Sequence, residues 1–102
     1  MTEYCIATNV LEAIVRGSLE TDDRLHPHAS LPLLRSHPFE VVVEGDTCRA
    51  SLQLDARFGE YLPALATVVR EKVVDALGGM TGLTVTAVDV IFAGVFPVNS
   101  RP

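Results

Sequence analysis

Apolar residues recur along this chain with two different periods, and the switches between them mark out its elements. From 48 to 58 the alternation is strict, with Cys48, Ala50, Leu52, Leu54, Ala56 and Phe58 on one side and Arg49, Ser51, Gln53, Asp55 and Arg57 on the other. A period of two predicts a strand with one buried and one solvated face. Just before it, Phe39, Val41 and Val43 alternate with Glu40, Val42 and Glu44, and Gly45-Asp46 suits a tight turn. Residues 39–58 therefore predict a hairpin. The period then changes. Leu62, Leu65, Ala66, Val69, Val73, Ala76 and Leu77 follow helical spacing, with Pro63 suited to the first turn and Gly78-Gly79 as the expected stop. From Leu83 to Phe96 both alternate sets are largely apolar, including Val85, Val88, Val90, Ile91, Phe92 and Val95. That pattern predicts a strand that is central, covered on both faces, or engaged in a subunit contact.

The opening segment predicts a helix over residues 9–20. Asn9 with Glu12 resembles a capping box, Thr8 is a rival cap, and Glu12 and Arg16 stand in the favourable i,i+4 order. Val10, Leu11, Ala13, Ile14, Val15, Gly17 and Leu19 make a stripe wider than one sheet contact needs. Residues 21–38 carry Pro27, Pro32 and Pro38, which predict an irregular surface connection tacked down by Leu31, Leu33 and Leu34, with room for a short extended piece. The expectation is one α+β domain over residues 1–102, with two helices on one face of a three-stranded sheet, in the order α-β-β-α-β. A right-handed crossover makes the last strand parallel to the second. The simplest arrangement inserts the first strand between them, and the alternative leaves the last strand at an edge.

Charge narrows the functional classes. The 102 residues hold 8 Lys+Arg against 13 Asp+Glu, a formal charge of -5, with the cations scattered. Nucleic-acid binders need a basic stripe to displace phosphate counterions, so nucleic acid and anionic membrane surfaces are disfavoured as direct partners. A KH-like reading of the α+β layout also lacks a GXXG loop. Hydrophobic residues make up 48% of the chain, enough for a core with a surplus that suits an oligomer interface. Cys5 and Cys48 lack metal or redox spacing and read as reduced thiols. No run of 18 apolar residues occurs, and MTEYCIATNV has no signal-peptide character, so a cytoplasmic location without membrane insertion is expected.

Little in the chain suggests chemistry. His26, His28 and His37 all fall in the proline-rich stretch, with Asp22, Asp23 and Cys48 as conceivable co-ligands, but their spacing matches no zinc signature. They read first as solvated loop residues. Asp55, Arg57 and Glu60 form a polar group in which a surface ion pair of Asp55 with Arg57 is expected. Cys48 lies among core positions and reads as inert. Gly78-Gly79-Met80-Thr81-Gly82 follows a helix instead of preceding one and lacks the Lys-Ser/Thr of a phosphate loop. Asp89 is the odd polar residue in an apolar strand, expected to be paired at the rim or to lie at an interface. No catalytic, cofactor or metal residues are expected.

Three stretches carry a family resemblance. IATNVLEAIV, the hairpin from Val41 to Gly59 with its Phe58-Gly59 pair, and PALATVVREKVVDAL followed by MTGLTVTAVDVIFAGV resemble the alkaline shock protein 23 family of Gram-positive envelope stress response proteins. RLHPHASLPLLRSHP stands where that family has a lysine/glycine-rich loop, and Asp89 where asparagine is usual. The resemblance implies a non-catalytic cytoplasmic protein that self-associates and is recruited to the inner face of the membrane by a small membrane-anchored partner. The expected role is a non-enzymatic homo-oligomeric scaffold acting through its last strand and helix faces, with Val88, Val90, Phe92, Leu11 and Val15 as candidate interface residues. The alternative is a small-ligand or metal-binding module using the histidine-containing loop.

Overall fold

The computed structural model describes residues 5–28 and 38–98 and bears out the α+β class. Its elements are α1 (Thr8–Leu19), β1 (Leu25–Pro27), β2 (Phe39–Glu44), β3 (Thr47–Arg57), α2 (Leu62–Thr81) and β4 (Thr84–Phe96). The sheet has four strands, one more than expected. β3 is its axis. β4 runs parallel to it along one edge, while β2 and β1 both pair antiparallel with it, β2 from Thr47 to Leu52 and β1 from Leu54 to Ala56.

Length explains the extra strand. β3 has 11 residues and β2 only 6, so the far end of β3 needs another partner. Leu25–Pro27 supplies it. The His28 N–H donates to the Gln53 carbonyl at 3.0 Å, and the Gln53 N–H donates to the Pro38 carbonyl at 2.7 Å, so β1 and β2 form one interrupted edge meeting at Gln53. That shared edge also corrects the expected order. With β2 on one side of β3, the crossover through α2 brings β4 directly onto the other side, parallel as expected but not separated by the first hairpin strand. Leu31, Leu33, Leu34 and His37 lie outside the described residues.

Both helices cover the same face of the sheet. Cys48, Ala50, Leu52, Leu54 and Ala56 on β3 are buried against Leu11, Val15 and Leu19 of α1 and Leu65, Val69, Val73 and Leu77 of α2. The helical contribution is an i,i+4 row on each helix, the spacing that keeps side chains stacked on one face. The ends differ from expectation. Ala7, in extended backbone, occupies the N-cap of α1 without a side-chain cap, and Thr8 and Asn9 lie inside the first turn. α2 runs through Gly78-Gly79 to Thr81, and Gly82 at φ 76° closes it, donating its N–H to the Gly78 carbonyl at 3.0 Å. Glycine in a helix costs only about 1 kcal/mol, and the left-handed cap falls where a buried Thr81 Oγ1 can accept from Leu83 N–H at 3.1 Å.

One buried ionic group ties the layers together. Asp22 follows α1, and its carboxylate is almost fully enclosed. Arg24 donates to it from Nε at 2.9 Å, Nη2 at 2.7 Å and its own N–H at 3.1 Å, and Lys72 Nζ of α2 adds a contact at 3.1 Å. These donors, Arg24 foremost, hold the carboxyl far below its usual range against the opposing effect of burial. The turn leading to β1 is thereby fastened to the middle of α2.

Candidate interaction surface

The inner row of β4 belongs to the core. Val88, Val90 and Phe92 register with Ala50, Leu52 and Leu54, all buried residues on the helix side of β3. Leu11 and Val15 have no exposure and Val88 has 7%. These three expected interface positions are therefore enclosed in their own subunit, because the rows from α1 and β4 fill the gap between helices and sheet. Val90 and Phe92 are only half-buried, packed against that core. The surplus apolar surface lies on other residues. Ile91 is 47% exposed on β4, and Phe58 and Tyr61 are more exposed still. Phe58, expected on the buried side, falls just past the end of β3 and loses that cover. The outer side of α1 adds Val10, Ala13, Ile14 and Gly17, which with Ala76 and Met80 of α2 line a shallow groove free of charged residues.

Two register shifts re-aim β4. They fall between Cys48 and Arg49 and between Leu54 and Asp55, where β4 carries one extra residue each time, Thr86 and Ala93. Between them Asp89 and Ile91 face the open side opposite Ser51 and Gln53. Asp89 is exposed, sharing a shallow hollow with Glu40, Arg49 and Ser51. Beyond the second shift Gly94 and Phe96 take the open side, and Val95, opposite Ala56, is 59% exposed.

The polar residues singled out in the sequence gather at this end, with different partners. Asp55 Oδ1 lies 2.7 Å from His28 Nδ1, and Arg57 pairs with Glu60 at 2.7 Å. The expected Asp55–Arg57 ion pair does not form, because Glu60 closes back on Arg57 through the turn at Gly59 while β1 delivers His28 to Asp55. His26 lies against Phe96, ring centroids 4.1 Å apart. His26 and His28 therefore contact the sheet in place of simple solvation. Gly94 makes room for the pair, since a Cβ there would sit 2.6 Å from Asp55 Oδ1. Only the strand register brings these residues together, so no spacing in the sequence signals them. Cys48 is buried, and burial pushes its thiol up, away from the reactive thiolate form. Among the described residues no group of three or more His, Cys, Asp or Glu is placed to hold a metal ion, and no helix is long and apolar enough to cross a membrane.

Comparison with family models, with curated proteins and with solved structures returns no match to this chain.

Proposed function

We propose that this chain is a non-enzymatic, self-associating scaffold of the cell envelope stress response, held at the inner face of the membrane by a small membrane-anchored partner. One observation carries the self-association: β4 is 13 residues long, pairs with β3 alone among the described residues, and bears a single charged side chain. An open edge of that length is a ready template for another strand, and soluble proteins normally guard it with several charges or a proline. Exposed Phe58, Tyr61, Val10 and Met80 add apolar contact area away from the edge. The envelope role and the membrane-anchored partner rest on the resemblance of the α2–β4 stretch, PALATVVREKVVDAL with MTGLTVTAVDVIFAGV, to the alkaline shock protein 23 family. Sedimentation at micromolar concentration tests the first part, with particles larger than one chain expected. A pull-down from native membranes tests the second, the expected result being a small integral membrane protein retained on washing. Recovery of soluble enzymes alone would contradict it.

A further inference from the structure

Resting on the self-association reading, we propose that the edge of β4 left open among the described residues pairs antiparallel with β4 of a second copy, about a twofold axis through Val90, to build one continuous sheet with all helices on one side.

Half-burial is the first reason. Val90 and Phe92 sit in the same inward row as Leu52 and Leu54, yet those β3 residues are at most 1% exposed while Val90 and Phe92 stay partly open. Among the described residues β3 has a strand on each side, and β4 has one on a single side. A second β4 would cover what is left and join two sets of Val88, Val90 and Phe92 into one apolar cluster across the axis. A twofold axis perpendicular to the sheet keeps inward rows inward, which the apolar inner side requires.

Register is the second reason. The two shifts leave Ala87–Phe92 as the regular stretch, with Asp89 its only charge. Antiparallel partners on one face lie directly opposite one another. Centring the pair on Asp89 sets two carboxylates face to face, which is repulsive. Centring it on Ile91 pushes Asp89 opposite the extra residue Ala93. Centring it on Val90 places Val90 opposite Val90, Val88 opposite Phe92 and Asp89 opposite Ile91, with every member inside the regular stretch. Asp89 then acts as the register key, excluding the one-step slip without blocking the pair.

Cysteine crosslinking reads this register directly. In a Cys5→Ser background, with buried Cys48 retained, Val90→Cys is compared with Val42→Cys on β2 as an exposed control. Directly opposed residues have Cα atoms about 4.5–5.5 Å apart, within disulfide reach. The expected result is a crosslinked two-chain band for Val90→Cys under mild oxidation and none for Val42→Cys. Ile91→Glu, at a position 47% exposed in one chain, sets a carboxylate opposite Asp89 of the second copy on both sides of the axis and is expected to halve the sedimenting mass while the dispersed chain still unfolds cooperatively. An oligomer that Ile91→Glu leaves intact, with no crosslink at 90, overturns the edge pairing while sparing self-association. A monomeric parent chain overturns both.

Discussion

β3 and β4 lie side by side over 11 residues of register, yet their sequences and burial behave differently. β3 alternates strictly in sequence, and its inward row is buried throughout. β4 is apolar on both alternating sets, and apart from Val88 its inward row is half-buried or, at Val95, exposed. Both rows face the same helices. What separates them is that β3 has strands on both sides. Alternation thus reports burial faithfully for a central strand, whereas an edge strand apolar on both sets keeps part of its inward row uncovered by the described residues, which is the area the proposed second copy would cover.

The largest effects should come from the strand with two neighbours. Leu52→Ala, at a site with no exposure, is expected to lose about 3–4 kcal/mol in urea unfolding, from lost transfer energy plus an unfilled cavity. Val90→Ala, measured at a concentration low enough to keep the chain dispersed, should lose only about 1 kcal/mol, because its site is half open. Equal losses would remove the distinction between the strands.

Asp22→Asn should follow, at about 2–3 kcal/mol, since it removes the negative charge and turns the Oδ2 acceptor shared by Arg24 and Lys72 into an amide donor. Its pH dependence has a definite sign. The folded carboxyl is held below its ordinary 3.8, so its contribution is complete above that value and is lost as pH falls below it toward the folded one. The gap between wild type and Asp22→Asn in thermal melts should stay constant from neutral pH down to about 5 and close in stronger acid. A gap that widens in acid would contradict the assignment.

Smaller again is Gly94→Ala. Its Cβ forces the Asp55 carboxylate aside and breaks the bond to His28, for about 1 kcal/mol. In an Asp55→Ala background the same change should be neutral or slightly stabilising, since the obstruction is gone. A penalty that persists there would place the strain in the backbone of β4 and not in the side-chain pair.

Much of this fold was legible from periodicity. The hairpin with its Gly45-Asp46 turn, the α2 stripe ending at Leu77 and the length of the last strand all follow from local pattern, because each buries a repeating row. β1 was legible only as room for a short extended piece within residues 21–38, since Leu25–Pro27 is too short to show a period and pairs where β3 outruns β2. The end of α2 was misread because Gly78-Gly79 permits a stop without compelling one, and the left-handed residue is Gly82. Among the candidate interface residues, the stripe on α1 was seen to be too wide for one contact. Sequence alone does not say which half faces inward, and Leu11 and Val15 fill the core while Val10 and Ile14 remain outside it or at its rim. The His28–Asp55 pair was invisible for a different reason, being 27 residues apart and joined only by register.

Amide hydrogen exchange in β4, followed as the chain is diluted, tests the central claim most directly. If a second copy covers the edge, protection across Ala87–Phe92 should rise with concentration while that of β3 stays constant. Protection in β4 that is the same at every concentration would mean that the strand is satisfied within one chain, and the account of this protein as a surface-acting, self-pairing scaffold would be contradicted.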